Sequence, residues 1–242
     1  MSFKKEGKWL VSRYQLEGAQ QKTEAMNDAI ITCCFTGTKE VEKEGNTFYI
    51  SSKGKKSQFI LCFVMAKISP TYATFLYEPF SGGTLEAYAP SRDFEFSKAV
   101  RLAKHMCKAV AFIHELGVYH RNLTPRSFII ILANKEGKIS STAKLWKFGN
   151  CRPLHNSENI SPVYAQKTDY TAPEDSGNIG IEDLPRADIY GLGRCLEYLF
   201  SRGGKKKCVG TKDLCSFLKK MTNKNARLRP TALESVNFFE NV

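Results

Sequence analysis

The sequence predicts an α+β protein with two unequal lobes, a small β-rich lobe over about residues 1–77 and a larger helical lobe over about residues 84–242. Three observations lead there. In the first third, short β-branched and aromatic runs alternate with Gly, Lys and Ser turns. From Phe96 onward the apolar residues recur at three-and-four spacing, the period of a buried helix. No internal repeat or low-complexity tract interrupts the 242 residues, a length suited to a single domain of two packed lobes.

Within the first lobe, residues 9–16, 29–36, 47–51 and 59–65 read as strands, separated by turns such as Glu44-Gly45-Asn46 and Ser52-Lys53-Gly54. Residues 17–28 read at most as a short helix, because their apolar face is thin. Residues 72–79 form a strand that Ser81-Gly82-Gly83 breaks, and 84–88 a short helix. Residues 96–116 predict a long buried helix, with Gly117 at its C-terminal cap position. The apolar runs 128–132 and 143–146 flank a turn-rich stretch at 134–141, the pattern of a hairpin. Residues 184–200 are apolar on most faces and predict a central helix. Two shorter helices follow at 212–221 and 231–237.

Composition excludes several classes. Apolar residues make up 42% and charged residues 25%, ordinary for a globular chain rather than a disordered one. No apolar run approaches the ~20 residues of a membrane span. The first seven residues carry lysines without an apolar stretch behind them, so no secretory leader is visible and a cytoplasmic or nuclear location is expected. Among the eight cysteines, Cys33 and Cys34 are adjacent, the others are scattered, and no CxxC pair occurs. That spacing argues for reduced core thiols rather than zinc or disulfides. The net charge of +12 is concentrated at Lys53, Lys55 and Lys56 and again over 202–229, where Lys205, Lys206 and Lys207 stand together. Such a segment is either a solvated basic face or a handle for an acidic partner. No recognised RNA- or DNA-reading motif accompanies it, so the charge alone does not establish nucleic-acid binding.

Five short motifs occur in a fixed order. His120-Arg121-Asn122-Leu123-Thr124-Pro125-Arg126-Ser127 comes first, then Lys147-Phe148-Gly149, Ala172-Pro173-Glu174, Asp188 with Gly191 and Gly193, and Arg229-Pro230. Together they resemble the HRDLxxxN, DFG, APE, DxxxxG and late-arginine elements of eukaryotic protein kinases. The resemblance covers about residues 72–240; residues 1–71 join it by position and strand content alone. It implies a bilobal protein-kinase-like fold, with a reduced region after the central helix where Ser201-Arg202-Gly203-Gly204 leads into the lysines. The Gly83-Thr84-Leu85 helix start also resembles the kinase-like domain of ribonuclease L and its unfolded-protein-response relative, without their nuclease extension. The resemblance further implies scaffold roles for His120, Arg121, Phe148, Gly149, Glu174, Asp188 and Arg229. Asp188 would accept hydrogen bonds from the backbone around Arg121, and Glu174 would pair with Arg229.

The chemistry-bearing positions depart from the family pattern. Phosphoryl transfer uses a carboxylate beside the substrate hydroxyl, oxygen ligands for magnesium and a lysine on the nucleotide phosphates. Here the base position is Asn122, the loop lysine is Thr124, the loop asparagine is Ser127, and the DFG aspartate is Lys147. No GxGxxG and no VAIK-like strand occurs in residues 1–71; Lys39 and Lys67 are the lysines nearest plausible strands. The catalytic set is therefore not intact, no metal site is expected, and ATP and magnesium binding are both put in question. Three readings follow. One is an inactive serine/threonine protein kinase homologue, a pseudokinase, that regulates or binds a protein partner such as a true kinase. Another is a weak or unconventional serine/threonine kinase. The third is a basic interaction module for an acidic partner. His105 and His114 read as structural histidines.

Overall fold

The computed structural model describes residues 3–6, 9–36, 39–52, 58–61, 63–78, 80–90, 95–135, 138–153, 168–175, 183–202 and 211–242. The backbone divides into two compact units: residues 1–81 with 146–151, and residues 82–145 with 152–242. The Lys147-Phe148-Gly149 motif thus belongs to the first unit, which its position in the chain did not suggest.

The first unit is an antiparallel sheet of six strands with one long helix. The strands are β1 (Phe3–Glu6), β2 (Trp9–Gln15), β3 (Lys39–Glu44), β4 (Thr47–Ser52), β5 (Phe63–Ile68) and β6 (Tyr72–Tyr77), in the spatial order β1-β2-β6-β5-β4-β3. Ser12, Phe75, Ala66 and Ile50 lie opposite one another across four strands and are fully buried. One residue further along, Arg13 and Lys67 point to the opposite face and are exposed, as the two-residue strand period requires. Gly45 adopts φ 55° at the tip of the β3–β4 hairpin, a conformation open to glycine.

The helix α1 (Ala19–Thr36) overturns the strand expected at 29–36. Ile30, Ile31, Thr32, Cys33 and Cys34 favour a strand by propensity. Burial decides otherwise: Ala25, Asp28, Ala29 and Thr32 are buried at i, i+3, i+4 and i+7. The strand expected at 59–65 lies at Phe63–Ile68, with Ile60 and Leu61 buried ahead of it. The strands β1 and β3 escaped prediction because Lys, Glu and few apolar residues fill them.

In the second unit the central helix α4 (Leu184–Phe200) carries a buried face of Ile189, Leu192, Cys195, Leu196 and Leu199. It packs on α3 (Phe96–Glu115) and α5 (Lys212–Met221), while α6 (Ala232–Glu240) covers α3. At Gly193 an added Cβ would stand 2.7 Å from the Met221 Cβ, so glycine sets the close approach of α4 and α5. The chain turns out of α3 at Gly117, φ 68°, whose N–H donates to the His114 carbonyl. A hairpin of β8 (Phe128–Lys135) and β9 (Lys138–Leu145) lies against α3 and is longer than the apolar runs indicated. The remaining elements are α2 (Leu85–Tyr88) and the short pair β7 (Val118–Tyr119) and β10 (Arg152–Pro153). A reciprocal capping box of Thr231 and Glu234 starts α6.

Candidate functional site

The loop after β7 is organised by one carboxylate. Asp188, on the buried face of α4, accepts hydrogen bonds from the backbone N–H groups of His120 (2.7 Å) and Arg121 (2.8 Å). His114 Nε2 lies 3.0 Å from its Oδ2, and the imidazole stands edge-on to Tyr119. Arg121 is held at φ 63°, a left-handed conformation that side-chain-bearing residues adopt only when their surroundings fix it. The His120 ring is fully buried, and its Nδ1 accepts from the Asn122 N–H at 3.3 Å. The expected contact of Asp188 with this loop is present, and His114 joins it across 74 residues of sequence.

The next residues close on themselves. A short 3-10 turn, Pro125–Ser127, is capped by Thr124. Ser127 Oγ donates to the Asn122 carbonyl at 2.9 Å, accepts from the Thr124 N–H at 3.2 Å and lies 3.3 Å from Thr124 Oγ1. A hydroxyl has one donor and two acceptor sites, so Ser127 is saturated by its own loop. Its role here is to shape the turn.

Glu174 and Arg229 form the expected ion pair. The guanidinium meets the carboxylate through two bonds, 2.5 Å to Oε1 and 2.8 Å to Oε2, and also donates to the carbonyls of Asn223 and Arg186. The Arg229 side chain is fully buried. Burial pushes the Glu174 carboxyl up, but the hydrogen bonds and charge of Arg229, with a backbone bond, outweigh it and hold the pKa below its ordinary value.

In the first unit, Lys147 occupies a left-handed conformation, φ 67° and ψ 63°, immediately before the short turn Phe148–Asn150. Its ammonium lies 5.0 Å from the ring centroid of Trp146. The buried Asp28 on α1 accepts from the Phe148 N–H at 2.8 Å. Burial raises the Asp28 pKa from 3.8 to about 6, against the lowering pull of that N–H, of the Lys147 charge and of Thr32. A Cβ on Gly149 would come within 2.9 Å of the Glu24 carbonyl oxygen, so α1 presses directly on the turn. Asp28 was missed because its partner stands 120 residues away. The one local signal was the short helix read over 17–28.

The strand leading into α1 contains no lysine. Its cation, Arg13, is exposed and lies 4.4 Å from the Tyr72 ring centroid. Lys67 is likewise exposed, over the Tyr49 ring. A hard cation takes carboxylate and other oxygen ligands. The corresponding positions hold an ammonium (Lys147), an amide (Asn122) and a hydroxyl already saturated (Ser127). Among the described residues no cluster of three His, Cys, Asp or Glu is placed to hold a metal.

His105 corrects the expectation of a satisfied structural histidine. Its Nδ1 is buried and makes no hydrogen bond among the described residues. Burial, followed by the nearby Arg101, Lys108 and Lys104, lowers its pKa, which favours the neutral ring. The basic loop with Lys205, Lys206 and Lys207 lies outside the described residues.

A two-unit chain with a six-stranded sheet, a helical second unit, an aspartate-organised HRN loop and an APE–Arg ion pair defines a protein-kinase-like fold. The family model "Protein kinase domain" matches residues 38–206, well over half of the chain, and the chain belongs to that family. Similar proteins include the probable serine/threonine-protein kinase zyg-1 of Caenorhabditis elegans, 28% identical over 59% of this chain and 19% of that protein. The probable serine/threonine-protein kinase gdt4 of Dictyostelium discoideum is 27% identical over 56% of this chain and 8% of its own length. The serine/threonine-protein kinase chk-2 of C. elegans is 31% identical over 41% of this chain and 19% of its own length. The matched segment thus spans less than a fifth of each of these relatives.

Proposed function

We propose that the chain is a catalytically inactive serine/threonine protein kinase homologue that works as a regulatory, protein-binding module. The observation that carries this reading is Lys147. A cation stands where the family's chemistry needs a metal-holding carboxylate, which reverses the local charge. Asn122 at the base position, the saturated Ser127 and a lysine-free β2 support it. On this reading the paired groups around Asp188 and Arg229 preserve a recognition surface rather than a reaction centre. The partner is a protein, for which a true kinase is a natural candidate. The lysine-rich loop offers an acidic partner a means of faster encounter. The reading places the protein in the cytoplasm or nucleus; among the described residues no helix is long and apolar enough to cross a membrane.

The test is a melting curve with and without ATP and magnesium, run beside a phosphate-transfer assay on a generic protein substrate. A ligand at ~100 times its dissociation constant adds about 2.7 kcal/mol of stability. No shift and no transfer are expected. A magnesium-dependent shift together with transfer would establish instead a weak or unconventional kinase, the activity that the names of the similar proteins suggest.

A further inference from the structure

The second unit contains a cleft of about 470 Å³ where the last turn of α3, the strand β7 and the first turns of α4 and α6 meet. That volume lies in the range of sites for small organic ligands. Ala111, Ile189 and Leu233 supply apolar wall, and Leu233 is 59% exposed although it lines a concavity. Two polar side chains converge on the same space. Tyr119 is only 9% exposed, yet its hydroxyl makes no hydrogen bond among the described residues. Arg186 donates from Nη1 to the Arg229 carbonyl and makes no ion pair among the described residues, leaving most of its planar fork of N–H groups available. Both groups open on the cleft, so the oxygens of one ligand can replace the water on the phenol and on the guanidinium together.

The charges around the cleft narrow the ligand. Among the described residues of the lining, Arg186 is the one formal cation. Glu115 stands exposed at the rim, and Glu234, bonded to the Thr231 N–H, feels the Arg186 charge. One guanidinium among two carboxylates suits a singly charged planar anion better than a doubly charged phosphate. His114 commits its Nε2 to Asp188 and so contributes mainly its ring face and edge.

We propose that this cleft binds an organic carboxylate with an apolar body, the carboxylate on Arg186 and the Tyr119 hydroxyl, the body against Ala111, Ile189 and Leu233. The site is independent of phosphoryl transfer and uses none of the residues at which the family's chemistry is altered.

The experiment is an NMR titration of the full ¹⁵N-labelled chain with 3-phenylpropionate, using 3-phenylpropanamide as the uncharged control. A fragment of this size is expected to bind with a dissociation constant on the order of 1 mM. Saturable shifts should cluster at the amides of Tyr119, Arg186, Ile189 and Leu233, with the amide control at least about tenfold weaker. Tyr119→Phe, which keeps the ring on His114, should weaken the carboxylate several-fold, and Arg186→Gln should abolish its advantage over the amide. If Arg186→Gln fails to fold, Tyr119→Phe and the amide control decide. Acetyl-leucine and acetyl-Leu-Asp-amide, added as further arms, distinguish a chain-terminal carboxylate from an acidic side chain as the natural source. Equal binding of acid and amide, shifts outside the cleft, competition by inorganic phosphate, or no saturation up to about 10 mM would overturn the proposal.

Discussion

Replacing Asp28 by asparagine tests the most unusual group in the first unit. Burial lifts the Asp28 pKa from 3.8 to about 6, despite the Phe148 N–H, Lys147 and Thr32 acting to lower it. Raising the pKa from 3.8 to about 6 separates the protonated and ionised forms by roughly 3 kcal/mol. The folded pKa is raised, so the stability linked to this group is fully present below the unfolded value of 3.8 and is lost as pH rises through about 6. Asparagine carries no charge at any pH and keeps a side-chain oxygen that can accept from Phe148, though it forfeits the attraction of Lys147. Asp28→Asn should therefore be about 1–3 kcal/mol more stable than the parent at pH 8 and nearly equal to it at pH 3, below the unfolded value. At ~2–4 °C per kcal/mol this is a melting difference of several degrees that appears only on the alkaline side. Both tryptophans, Trp9 and Trp146, lie in the first unit, so tryptophan fluorescence follows the right part of the chain. A difference of the same size at both pH values would refute the reasoning, because it would come from packing and not from an ionised buried carboxylate.

Three further outcomes follow from the second unit. Arg229→Ala should cost about 3–5 kcal/mol, measured by urea denaturation, because it strands Glu174 and removes donors from three backbone carbonyls. Ser127→Ala should lower stability by about 1 kcal/mol even though it leaves any transfer assay unchanged, since the hydroxyl ties Asn122 to Thr124. Gly193→Ala should cost about 1–3 kcal/mol in thermal melts, the added methyl having Met221 Cβ and Thr222 Cγ2 within 3 Å.

The parts legible in the sequence share a physical feature: their determinants are local. The long buried helix α3 and the central helix α4 announce themselves through apolar spacing, and α4 was read to the residue. Motifs such as His120-Arg121-Asn122 are contiguous, so their order along the chain sufficed to place Asp188, Glu174 and Arg229 in their roles. Where tertiary contact decides, local reading fails. Residues 29–36 have the composition of a strand, and only the packing of α1 on the Phe148 turn and on β4 and β5, with Ala25 and Ala29 buried, makes them a helix. Asp28 looks like one more surface acid until Phe148 is brought to it.

The altered positions pose a subtler form of the same problem. The sequence shows which side chain replaces a family residue, but not what the replacement now bonds. Ser127 illustrates the difference. As a substitute for a metal-binding asparagine it reads as a weak ligand, whereas in the fold it is a saturated hydroxyl that holds its loop together. Lys147 reads as the loss of a carboxylate, yet it sits close enough to a buried acid on α1 to help keep that acid's pKa from rising further. The residues at these altered positions thus have bonding or electrostatic roles of their own in the fold. That is why substitutions at Ser127 and Asp28 should register in stability.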